Sequence, residues 1–128
     1  MKLLLDTHAL LWFIKADKQF SSTARAALES GTDEILVSLA TIWEIAIKQS
    51  IGKLQISLDI EKGLRDFLEE NGFDLLEIEY AHVAKVTTLP WKHKDPFDRL
   101  LAAQALFTGA RLVSADAVFD AYGIERLW

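Results

Sequence analysis

The sequence predicts an α/β protein whose parallel sheet of four to five strands is covered by helices on both faces. Three observations predict it. Short apolar runs at Lys2–Leu5 (KLLL), Ile35–Val37 (ILV) and Arg111–Ser114 (RLVS) show no polar alternation, as expected of strands buried on both faces. Segments of helical periodicity separate these runs, so the connections are crossovers, expected to be right-handed, and the strands run parallel. The composition is 51% hydrophobic with six glycines and two prolines, which suits a packed core and not a disordered chain. With 128 residues and no repeat, linker or low-complexity tract, residues 1–128 read as one domain.

The elements follow in order. The first strand stops at Asp6, and Ala9 to Ile14 starts a helix that breaks at the polar stretch 15–18. Ser21 or Ser22 caps a second helix through Ala24, Ala27 and Leu28, which Gly31 ends. After the second strand, apolar residues dominate from Ala40 to Ile51, and Gly52 closes this third helix. Asp59 caps a helix running to about Glu70, with Ile60, Leu64, Phe67 and Leu68 at helical spacing and a stop at Asn71-Gly72. Phe73 to Ile78 is a third strand of mixed pattern, Ala81 to Thr87 a short helix, and Leu89 to Lys94 a loop around Pro90. In HKDPFDRLLAAQA, Asp95 is an N-cap, Pro96 suits the first turn, and Asp98 stands where a carboxylate reaches free N–H groups. That apolar helix spans Phe97 to Phe107 and ends at Gly109. A fourth strand, a short helix from Ala117 to Ala121 and a terminal strand from Ile124 to Leu127 complete the chain.

Several function classes are excluded at this level. Without cysteine there is no disulfide, no thiolate metal site and no Cys nucleophile. Met1 to Leu5 starts like a secretion signal, but Asp6 and His8 interrupt it too early. No segment approaches the roughly 18 apolar residues of a membrane span, so a cytoplasmic protein with no membrane association is expected. A net charge of −5, from 19 acids against 14 bases, opposes a general nucleic-acid binder that works by bulk positive charge. It leaves room for an enzyme that reaches phosphates through a few local bases and bound cations. Neither GxGxxG nor GxxxxGK[ST] occurs, which argues against nucleotide binding of the common kinds. Ser38 and Ser114 lack a GxSxG setting, and His8, His82 and His93 share no metal spacing and read as surface or capping residues. Trp12, Trp43, Trp91 and Trp128 read as core or interface anchors rather than a base-stacking stripe.

The acids remain. Ligands of open parallel sheets bind at the carboxyl ends of the strands. Asp6 ends the first strand, Asp116 follows the fourth, Glu44 lies in the first turns of the helix after the second, and Asp98 opens the helix that precedes the fourth. Each also has a plain reading: Asp6, Asp98 and Asp116 as helix caps, and Glu44 as a partner of Lys48 one turn later. Two carboxylates about 4 Å apart repel by roughly 4 kcal/mol at an effective dielectric of 20, so three or four together either protonate or bind a cation. Hard oxygen donors without cysteine favour Mg²⁺ or Mn²⁺. A divalent ion held by acids with open positions suits hydrolysis of a phosphodiester.

LLLDTHALLW, WEIAIKQSIGKL, DPFDRLLAAQA and LVSADAVFDAYGI, in this order, resemble the PIN-domain ribonucleases, and among them the VapC toxins of bacterial type II toxin–antitoxin pairs. The resemblance covers essentially the whole chain. It implies a three-layer α/β/α PIN-like fold, Mg²⁺- or Mn²⁺-dependent endonucleolytic cleavage of RNA, a homodimer, and inhibition by a cognate antitoxin whose tail covers the acidic site. By the motif positions it assigns Asp6, Glu44, Asp98 and Asp116 to the metal and catalytic site, with Ser114 beside Asp116, while Asp95 and Pro96 start the helix; a supporting role for Asp95 stays open beside this. Lys48, Lys92, Lys94 and Arg99 are the bases expected near flanking phosphates. Two other readings stay open: a metal-dependent nuclease acting on DNA structures, and a non-catalytic α/β interaction module whose acids are only caps.

Overall fold

The computed structural model describes residues 1–91 and 94–128. Its strands are β1 (Lys2–Leu5), β2 (Glu34–Ser38), β3 (Phe73–Leu76), β4 (Arg111–Val113) and β5 (Arg126–Leu127). They form one sheet in the order β3-β2-β1-β4-β5, with every neighbouring pair parallel. The helices are α1 (Thr7–Ile14), α2 (Ser22–Glu29), α3 (Leu39–Ser50), α4 (Arg65–Glu70), α5 (Tyr80–Val86) and α6 (Pro96–Thr108). A π-helical turn, Ile60–Leu64, leads into α4, and a 3₁₀ helix, Ala117–Tyr122, follows β4. Among the described residues, no helix is long and apolar enough to cross a membrane.

The unbroken apolar runs have the predicted cause. Leu3 and Leu5 of β1 sit in register with Ile35 and Val37 of β2 and face one layer, which includes Leu10, Ala24, Leu28, Ile45, Leu64 and Leu68. Leu4, Leu36 and Leu112 point the other way, against Leu101, Ala102 and Ala105 of α6 and against Phe119 and Tyr122. Side chains alternate between faces along a strand, so a central strand with helices on both sides has no position left for a polar residue. β1 is that strand, and Leu3, Leu4 and Leu5 are all fully buried.

Among the boundaries that differ from the sequence expectation, three have a clear local reason. The helix expected from Asp59 to Glu70 opens with a wider π turn. Asp59 accepts hydrogen bonds from the N–H groups of both Lys62 and Gly63, at 3.0 and 3.2 Å. A Cβ on residue 63 would lie 3.0 Å from the Asp59 carboxylate and 3.3 Å from the Leu58 backbone, so a side chain there would crowd the turn. The third strand stops at Leu76 rather than Ile78. The Glu77 carbonyl accepts from the Gln104 amide at 3.3 Å, and Glu79 becomes the N-cap of α5. The terminal strand pairs only over Arg126–Leu127, while Ile124 turns into the core beside α6.

Gln104 and His82 tie α5 and α6 to the sheet. The Ser38 hydroxyl, at the end of β2, donates to Gln104 Oε1 at 2.5 Å. The Gln104 amide lies 3.3 Å from His82 Nδ1, which also accepts the Glu79 N–H at 3.1 Å. His82 therefore caps, as expected, but from the interior: it is 1% exposed, not a surface residue. Replacing Gln104 by Met keeps the volume and leaves a buried hydroxyl and a carbonyl without that partner. The expected cost is about 1–3 kcal/mol, read from urea unfolding midpoints. An unchanged midpoint would mean these groups find other partners.

Candidate active site

The site is the carboxyl edge of β1 and its neighbours. Asp6 follows the last residue of β1, and its N–H still donates to the Val113 carbonyl of β4 at 3.1 Å, so its position is fixed by the sheet. The carboxylate is 5% exposed. Oδ1 accepts the Ala9 N–H at 2.8 Å, capping α1, and Oδ2 accepts the Ser114 hydroxyl at 2.5 Å. Burial raises the Asp6 carboxyl above its usual pKa and the nearby Asp116 charge adds to this, while the bonds from Ser114 and Ala9 and the charge of His8 oppose it.

Ser114 links two acids. Its hydroxyl donates to Asp6 and accepts the Asp116 N–H at 3.0 Å. Asp116 itself is exposed and caps the 3₁₀ helix through the Val118 N–H at 3.0 Å. Glu44 sits on α3 and is turned inward, 7% exposed. The Thr7 hydroxyl, next in sequence to Asp6, donates to Glu44 Oε1 at 2.6 Å, and Lys48 Nζ lies 2.9 Å from Oε2. Asp6, Glu44 and Asp116 are thus connected through two short hydroxyl side chains.

Asp98 lies in the first turn of α6, half-buried. Asp95 Oδ1 accepts the N–H groups of Phe97 and Asp98 at 2.8 and 3.1 Å, which fixes that turn. The Phe97 ring packs edge-on against Trp43 with centroids 5.1 Å apart. Phe97 precedes Asp98 and Trp43 precedes Glu44, so this aromatic contact sets the two acid-bearing turns against each other.

The expected bases divide. Lys48 is at the site, paired with Glu44. Lys94 is exposed, and Lys92, like His93, lies outside the described residues. Arg99 is 7% exposed, and its guanidinium donates to the carbonyls of Pro90 and Val86 at 3.1 and 3.3 Å and lies 4.3 Å from the Trp91 ring centre. It holds the 86–91 segment against α6 through one N–H on each terminal nitrogen. The tryptophans divide too. Trp12 and Trp128 pack on the core, whereas Trp43 and Trp91 are 58% and 70% exposed. Sequence reasoning missed Thr7 and Arg126. Thr7 was signalled only by a hydroxyl directly after the strand-end acid. Arg126 donates to the Ser114 carbonyl at 3.1 Å and pairs with Asp120 at 3.0 Å, which holds the Asp120 carboxyl below its usual range.

Among the described residues, no three acids or histidines are gathered closely enough to form a ligand shell. In donor type, though not in spacing, the set suits a divalent cation. It is all oxygen, and Asp6 is a buried carboxylate beside a second acid, a charge whose cost a cation would offset.

The sequence of residues 3–125 matches the PIN domain family. Ribonuclease VapC22 of Mycobacterium tuberculosis is 29% identical over 114 residues, which cover 88% of this chain and 85% of that protein. Among solved structures, VapBC2 from Rickettsia felis bound to a promoter DNA fragment superposes with a TM-score of 0.72, at 16% identity and full coverage of both chains. A toxin–antitoxin complex from Klebsiella pneumoniae gives 0.59, at 18% identity over 89% of this chain and 86% of its own. At these identities the structures establish the fold.

The raised Asp6 carboxyl predicts a stability signature. The folded chain favours the protonated acid, so this group's stabilising contribution is full at low pH and is lost as pH rises from the ordinary carboxylate range through the raised value. Asp6→Asn removes the buried charge and keeps an acceptor for Ala9. In EDTA at pH 8 the variant is expected to melt above the wild type by calorimetry, with the gap closing in acid. A lower melting temperature at pH 8 would show that the carboxylate is stabilising as it stands.

Proposed function

We propose that this chain, which belongs to the PIN domain family, is a divalent-metal-dependent endoribonuclease and the toxin of a toxin–antitoxin pair. The observation that supports this most is the Asp6 carboxylate, buried at the end of the central strand, hydroxyl-bonded to Ser114 and close enough to feel the charge of Asp116. The ribonuclease name of the Mycobacterium relative supports the reaction class.

Asp6, Glu44, Asp98 and Asp116 are the residues that would hold one or two Mg²⁺ or Mn²⁺ ions. Bound there, such an ion lowers the pKa of a water and neutralises charge at the scissile phosphate. The chain's own residues prepare that site. Ser114 orients the Asp6 carboxylate, Thr7 orients Glu44, and Asp95 fixes the turn that carries Asp98. Lys94, exposed just before α6, is the base we read as meeting a flanking phosphate on the RNA. The cognate antitoxin is the inferred protein partner, and an arginine on its tail suits an acidic edge of this kind. A cytoplasmic location accords with an RNA substrate and a cysteine-free chain.

We also infer a homodimer. Leu39, Trp43 and Ile47 of α3 and Ile51, its C-cap, recur every four residues and are 36–59% exposed, an apolar stripe suited to a second copy. Ile47→Asp is expected to shift the chain to monomer mass in light scattering, and a chain that is monomeric from the start would remove this reading.

Purified chain incubated with total RNA is expected to release discrete fragments with Mg²⁺ or Mn²⁺ and none with EDTA. Asp6→Asn and Asp98→Asn should each lower the rate by at least about 100-fold, as loss of an electrostatic catalytic group does. DNA oligonucleotides should stay intact under the same conditions. Cleavage of DNA in preference to RNA would favour the DNA-nuclease reading, and wild-type rates in both variants would favour the interaction module.

A further inference from the structure

Glu44 has both carboxylate oxygens engaged. Oε1 takes the Thr7 hydroxyl at 2.6 Å, and Oε2 takes the Lys48 ammonium at 2.9 Å. The two contacts differ in kind. Thr7 is 3% exposed, its hydroxyl reaches Glu44 from the residue after Asp6, and a hydroxyl bond leaves the carboxylate's charge intact. Lys48 neutralises that charge from a flexible four-carbon stem whose side chain is 35% exposed. Among the described residues no lysine or arginine bonds the buried oxygens of Asp6, which are held by a hydroxyl and an amide, with the charge of His8 acting from nearby. Glu44 therefore carries an internal counter-cation one helical turn away.

We propose that Lys48 is a built-in competitor for the divalent ion at Glu44, displaced when the metal binds. This rests on the metal-dependent reading of the site. A divalent ion and an ammonium beside one carboxylate oxygen disfavour each other, because their mutual repulsion adds to their competition for its lone pairs. Lys48 has solvent to move into, whereas Thr7 does not. Lys48 is then a tuning residue: it stabilises the charge of Glu44 without metal, weakens metal binding, and on displacement leaves its ammonium at the edge where the RNA phosphates arrive. By reciprocity, whatever draws Lys48 away, a phosphate included, tightens the metal.

The test is Mn²⁺ binding itself, measured by titration calorimetry on EDTA-stripped wild type, Lys48→Met and Lys48→Arg. Met keeps the stem and removes the charge, while Arg keeps the charge. The inference predicts that Lys48→Met binds Mn²⁺ tighter by roughly fivefold, as expected for removing one nearby like charge at a partly exposed site, and that Lys48→Arg stays near the wild type. Circular dichroism melts in EDTA check that each variant is folded. Weaker or equal binding by folded Lys48→Met overturns the proposal and makes Lys48 an anchor that orients Glu44. Absence of Mn²⁺ binding in all three chains overturns the metal reading of the site and this inference with it.

Discussion

Asp6 is where the strand, the helix and the site are joined. Its amide continues the β1–β4 ladder, one carboxylate oxygen starts α1, and the other receives the Ser114 hydroxyl from the end of β4. These are three different kinds of hydrogen bond on one buried residue, and each fixes a different part of the edge. Because β1 is the central strand, with helices on both faces, Asp6 has little freedom to turn away from that edge. The position of the charge follows from the sheet, and the chemistry of the site follows from the position.

Thr7 and Ser114 extend this arrangement outward. Each is a short hydroxyl beside an acid, and each bonds a carboxylate from a different segment. Carboxylates at one edge repel, and hydroxyl donors between them hold the geometry without cancelling the charge. Lys48 departs from this pattern by bringing a full positive charge to Glu44. Arg99 and Arg126 serve structure as well: one holds the 86–91 segment and the other ties β5 to the end of β4.

Much of this was legible in the sequence. The strands of the sheet were visible because a strand buried on both faces has a distinctive apolar run, and the caps Asp59 and Asp95 because a side-chain acceptor before a helix has few other uses. What escaped was set by contacts distant in the chain. His82 looks like an ordinary polar residue on a short helix and Gln104 like one on a longer apolar helix, and only the meeting of α5, α6 and the end of β2 makes them interior. The exposure of Trp43 and Trp91 had no sequence signal either, since large aromatics are buried in most contexts. The inward turn of Glu44 needed Thr7, thirty-seven residues away.

Helices α1 and α3 and the 3₁₀ helix follow parallel strands, so each begins at the carboxyl edge of the sheet, and α6, running antiparallel to the strands, begins there as well. Asp6, Ser38, Asp95 and Asp116 stand at those four starts. The edge thus gathers the positive poles of several backbone dipoles behind its carboxylates. Each pole offsets a fraction of a unit charge over about one turn of helix. Seen from a distance, the field of this edge is therefore weaker than its count of acids suggests, and a polyanion approaching it meets a shallow barrier until the last few ångströms.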